Sequence, residues 1–227
     1  MRQPKMVALF GKPASGKTTE LLRIMKLGIS KGERFLCIDP DGQESLYDDA
    51  MFTHYNTIDE VPDNWSGCAV VIYKSAKEKS KLISGEATFP FMLKKCITNN
   101  GQPTSRKQHG DWYNFTLILD DANTYMRGQI ESELATILGR KRQFGMDIIT
   151  TSHGWGNCPA EFMRYIDVYR LGPTDDSPAS RTQVLTGPIM KKHLAWQTAV
   201  NNYKKQNPDK YIWASFTRNG DKFTGVV

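Results

Sequence analysis

Short strand-like runs recur along the 227-residue chain, the first three apolar throughout and the later three interrupted by Thr, Asp or Arg, and the stretches between them place their apolar residues three and four apart. The runs fall at 7–10, 35–38, 69–73, 115–119, 147–151 and 167–171. Four or five apolar residues without alternation mark a strand covered on both faces, as in a parallel sheet. Helices are expected at 18–29, 89–96 and 129–142. In the last of these, Ile130, Leu134, Ile137 and Leu138 fall at i, i+4, i+7 and i+8, a single buried stripe. Strands alternating with helices predict an α/β domain: a mostly parallel central sheet with helices on both faces.

Two stretches break the alternation. Residues 97–113 are polar, basic and contain Gly and Pro, which predicts an exposed loop before a core strand. The tail from about residue 172 carries Pro173, Pro178 and Pro188, then mixes lysines with aromatics. Its end predicts a hairpin, 211–217 and 222–226 around an Asn219-Gly220 turn. The expected organisation is a core over 1–173 and a C-terminal extension over 174–227 packed on it.

Thirty basic and 24 acidic residues give a net charge of +6 and a pI near 9.1. This permits a nucleic-acid or acidic partner without demanding one. Cys37, Cys68, Cys96 and Cys158 are scattered, with no C-x-x-C pair. Cys37 and Cys68 lie in apolar runs as expected of core thiols, and a zinc site is not expected. No apolar run approaches the roughly 20 residues of a spanning helix, and with a strand expected almost at once no signal peptide is expected. The cytosol is the expected compartment.

The residues between the first strand and the first helix carry the chemistry. Gly11, Lys12, Pro13, Ala14, Ser15, Gly16, Lys17 and Thr18 fit G-x-x-x-x-G-K-[ST], and Thr19 follows. A loop that wraps a triphosphate with backbone N–H groups needs glycines for unusual torsions and close approach. Lys17 is expected to reach the β- and γ-phosphates of ATP, and the Thr18 hydroxyl to ligate Mg²⁺. The helix that follows aims its positive end at the same anion. A second motif is the strand "FTLILDD", which ends in Asp120 and Asp121. In a nucleoside-triphosphatase, Asp120 is expected to hold the metal, through water, and Asp121 to polarise the attacking water.

Phosphate loop, extra strand and apolar-run-Asp-Asp occur in the order of the additional-strand P-loop ATPases. Three further stretches, "FLCIDPDGQE", "GRKRQFGMDIITTSH" and "YIDVYRLGP", resemble the later strands of the FtsK/HerA superfamily. The likeness runs from residue 6 to about 173. It is nearest to viral genome-packaging ATPases, those of the lipid-containing tectiviruses above all. The resemblance implies that Arg142, three residues before Gly145, is an arginine finger supplied to a neighbouring subunit, with Arg140 as its rival. A helix C-terminus, which favours cations in any case, accounts for either arginine equally well. The resemblance also implies that His153, where the family usually has Gln, senses the γ-phosphate. Asp121 stands where the family usually has Glu.

Three functions compete. The first is a ring-forming ATPase that moves double-stranded DNA into a preformed capsid, with portal or capsid-vertex proteins as partners. It would act at the virion's packaging vertex and in the host cytoplasm. Arg106 and Lys107 in the basic loop would then track phosphates without sequence specificity. The second is a thymidine-kinase-like nucleoside kinase, because "GKPASGKTTELLRIM" also resembles that opening; the zinc-binding cysteine cluster of those kinases is absent. The third is a nucleotide-gated assembly or export protein, against which Lys17, Asp120 and Asp121 argue by being all present. About 55 residues beyond 172 are too few for a separate nuclease domain.

Overall fold

A computed structural model describes residues 3–39, 51–72, 88–97, 112–121 and 132–223. Eight strands form one sheet in the order β3-β4-β2-β5-β6-β1-β7-β8. They are β1 (Met6–Phe10), β2 (Phe35–Asp39), β3 (Phe52–Tyr55), β4 (Cys68–Ile72), β5 (Thr116–Leu119), β6 (Asp147–Ser152), β7 (Val168–Leu171) and β8 (Ala214–Thr217). The helices are α1 (Lys17–Ile29), α2 (Thr88–Cys96), α3 (Ser132–Arg140), α4 (Ala160–Met163) and α5 (Gly187–Gln206).

The chain divides into two compact units. The first comprises Met1–Lys5, Arg23–Asp120 and Thr124–Ile148; the second comprises Met6–Leu22, Asp121–Asn123 and Ile149–Val227. In the first, β2 pairs in parallel with β4 and β5, and β3 with β4. Every residue of β2 and β4 is buried, as strands covered on both faces must be. β3 is half exposed. Trp65, Trp112 and Phe115 meet edge to face, and the Trp65 Nε1–H donates to the Phe35 carbonyl at 2.9 Å. The Arg34 guanidinium lies 4.5 Å over the Trp65 ring and donates to the Tyr113 carbonyl. Partial burial holds its pKa below the ordinary value.

In the second unit β1 runs parallel to β7, with Val7 opposite Val168 and Phe10 opposite Leu171. β8 joins β7 antiparallel, Leu171 opposite Ala214. After β8 the chain turns at Asn219-Gly220, Phe216 bridges Lys222, and Phe223 N–H donates to the Ser215 carbonyl. The core here is aromatic: Phe10, Trp155, Tyr169 and Phe216 are fully buried, Phe10 meets Trp155 and Tyr169, and Trp155, Tyr169 and Phe216 each meet His193 of α5. Burial pushes the Tyr169 phenol above its ordinary range. All four cysteines are buried free thiols. Burial raises Cys96 and Cys158 to about 12, which makes them inert packing groups.

Candidate nucleotide-binding site

β1 ends at Phe10, and the next residues leave the sheet. Gly11 N–H donates to the Ser152 carbonyl at 3.1 Å, and Lys12 N–H to the Pro173 carbonyl at 2.8 Å. These bonds tie the loop's start to the ends of β6 and β7, where parallel sheets place their ligand crevices. A Cβ on Gly11 would overlap Ser15 Oγ and fall 3.2 Å from Ser15 Cβ, so a side chain there would displace Ser15. Ala14 and Gly16 take positive φ, 60° and 84°. Left-handed residues set among right-handed ones turn successive N–H groups inward and make an anion-binding concavity. The Glu20 N–H to Gly16 carbonyl bond then starts α1, whose N-terminal end faces the same space.

Lys17 lies folded over this loop. Its Nζ donates to the carbonyls of Gly11 at 2.7 Å and Lys12 at 3.1 Å, and lies 3.2 Å from His153 Nδ1. With a lysine as donor, Nδ1 is the accepting nitrogen of the imidazole. His153, exposed just beyond β6, is thus brought to the loop lysine. Asp121 follows β5 with φ 49°, and its N–H donates to Thr151 Oγ1 of β6 at 2.8 Å. The sharp turn redirects the chain immediately after Asp120, the half-buried residue that follows β5.

The donors available to a divalent cation are hard oxygens: the Thr18 hydroxyl on the first turn of α1, and Asp120 and Asp121 after β5. Among the described residues no group of three or more His, Cys, Asp or Glu forms a dedicated metal cage. That donor set fits Mg²⁺, which keeps waters and takes phosphate oxygens alongside one or two protein ligands. The ion would neutralise charge on the phosphates.

Arg142 and Arg140 are both exposed, Arg140 as the last residue of α3 and Arg142 in the turn before β6. Arg142 lines a cleft of 760 Å³ with Lys31, Arg34, Tyr113 and Asp147. Arg106 and Lys107 lie outside the described residues. Contacts at the loop that the sequence did not announce come from far along the chain. Asp175 pairs with Lys12 at 2.9 Å, and the Tyr211 ring lies on Gly16. Neither sits in a motif, because each reaches the loop only through the tertiary fold.

No protein-family model matches the chain, and no curated protein matches its sequence. Solved structures do match in fold. The genome-packaging NTPase B204 of Sulfolobus turreted icosahedral virus 2, in complex with AMP, aligns with a TM-score of 0.63 at 13% identity, over 100% of this chain and 99% of that one. The same NTPase with AMPPCP aligns at 0.55 and 13% identity, over 98% and 96%. B204, the DNA-packaging ATPase of Sulfolobus turreted icosahedral virus, aligns at 0.59 and 15% identity, over 97% and 96%. This chain therefore shares the fold of that packaging NTPase, an eight-stranded, mostly parallel sheet with helices.

Proposed function

We propose that this chain is an ATP-hydrolysing motor that packages a double-stranded viral genome into a preformed capsid. It is of the tectivirus kind, works as a homo-oligomeric ring without a nuclease, and acts at the packaging vertex and in the host cytoplasm. The observation that carries the reading is the strained loop of residues 11–18 closed over the Lys17 ammonium, on a fold shared along its whole length with a packaging NTPase. ATP and Mg²⁺ are its cofactors. Lys17 and the loop N–H groups bind the phosphates, Thr18 and Asp120 serve the cation, and Asp121 orients the attacking water. His153 moves from Lys17 to the γ-phosphate. Arg106 and Lys107 follow the DNA backbone, and portal or capsid-vertex proteins receive the ring. Residues 1–173 form the motor and 174–227 its extension.

The test is ATP hydrolysis with and without duplex DNA, with phosphoryl transfer to thymidine in parallel. DNA-stimulated hydrolysis without thymidine phosphorylation is expected, and Lys17→Ala should abolish both nucleotide binding and turnover. Thymidine phosphorylation, or full activity in Lys17→Ala, would overturn the reading.

A further inference from the structure

Tyr211 is 62% exposed, the most exposed of the large hydrophobic side chains among the described residues. One edge of its ring lies directly on the phosphate loop. A Cβ built on Gly16 would fall 2.6 Å from Tyr211 Cδ1 and 2.7 Å from Cε1. Gly16 immediately precedes Lys17, and only a residue without a side chain lets the ring approach so closely. The contact therefore joins the end of the chain to the loop.

The segment that carries the ring is fixed at several points. Lys204, near the end of α5, donates from Nζ to the carbonyls of Pro208 and Lys210 and lies 5.6 Å from the Tyr211 ring centre. Lys210 N–H closes a turn on the Asn207 carbonyl. Two residues further on, the Trp213 ring packs on Gly172, where a Cβ would fall 3.0 Å from Cη2 and Cζ3. α5 is itself fixed to the segment after β7, since Asn201 exchanges two hydrogen bonds with the backbone of Thr174. An aromatic ring anchored this firmly, yet left largely in water, has a surface free for a flat partner.

We propose that Tyr211 is the shelf on which the nucleotide's base stacks, so that the C-terminal segment completes the ATP site built by the loop. This rests on the nucleotide-binding reading above. A nucleotide held by its phosphates places its base one ribose away, at the rim of the loop, and a purine offers a π-face to an aromatic ring. The chemical class recognised is therefore the base, independently of the phosphates.

The two contributions are separable by calorimetry on the full chain, with ATP and with inorganic tripolyphosphate, which has no base. Tyr211→Ala should weaken ATP binding on the order of 5- to 150-fold, the range of one lost base–aromatic stack. It should leave tripolyphosphate affinity unchanged, and Tyr211→Phe should bind ATP as the wild type does. Tripolyphosphate binding with an ATP affinity indifferent to Tyr211→Ala would overturn the shelf alone. Equal loss of both ligands in Tyr211→Ala would show that the ring merely props the loop, and would overturn it too. If the wild-type chain binds no tripolyphosphate, the phosphate-loop reading falls and the shelf with it.

Discussion

At the scale of single residues, the phosphate loop was legible because its chemistry is local. The glycines, Lys17 and Thr18 stand together in sequence, and the torsions they need appear at Ala14 and Gly16. His153 came from resemblance, not from spacing, and its 3.2 Å approach to Lys17 depends on where β6 ends. His193 carried no signal at all. It is fully buried, its Nδ1–H donates to the Ile189 carbonyl, and Nε2 has no hydrogen-bond partner among the described residues. Trp155, Tyr169 and Phe216 surround it, and none of these rings is charged. Desolvation outweighs the backbone bond and lowers its pKa below 6.5. The unfolded chain then binds a proton that the folded one refuses. The stability from neutral His193 is present above the unfolded value and is lost as the pH falls below it. The loss grows by about 1.4 kcal/mol per pH unit until the folded form protonates. Thermal unfolding at about pH 7.5 and about pH 5.5 should show a smaller drop for His193→Phe than for the wild type. Equal drops would remove His193 as the cause.

At the scale of elements, β1, β2 and β4 were legible as unbroken apolar runs, and β5, β6 and β7 as strand-like runs with polar residues among them. Two elements were not. β3 alternates too weakly, with Thr53 and His54 exposed on an edge strand. α5 spans 20 residues yet fully buries only His193 and Val200, so no apolar stripe marks it, and Gly187 and Pro188 at its start resemble a turn. What fastens the outer strands to the loop helix is also invisible to pattern. Arg170 on β7 pairs with Glu20 on α1 at 2.5 Å, their side chains 16% and 8% exposed, and donates to Ser215 Oγ on β8 at 2.8 Å. Removing one partner of such a pair strands the other charge in the interior, at a cost of about 3–5 kcal/mol. Glu20→Gln should lower urea-unfolding stability in that range. The double variant Glu20→Leu, Arg170→Met should recover most of the loss, because a well-packed apolar pair needs no partner charge. Strictly additive losses would mean that the pair is not a coupled unit.

At the scale of the whole molecule, the full-length fold match to a packaging NTPase leaves the ring motor as a proposal that only a trans experiment can settle. A ring ATPase completes each site with a cation from the next subunit. Arg142 suits that task, since it is exposed in the turn before β6 and lines an open cleft. Arg140 is equally exposed but ends α3, where it meets the negative pole of its own helix. Arg142→Ala should therefore leave ATP binding intact and depress hydrolysis by roughly 10³ to 10⁵, the worth of an arginine finger. Arg140→Ala should do much less. Mixing Arg142→Ala with Lys17→Ala chains should restore part of the rate, because an intact arginine on one chain can face an intact loop on the other. The restored rate should rise with protein concentration, as assembly requires. Normal hydrolysis in Arg142→Ala with loss in Arg140→Ala would move the finger two residues back along the chain. If neither substitution matters and the specific rate is independent of concentration, each subunit completes its own site, and the ring is excluded.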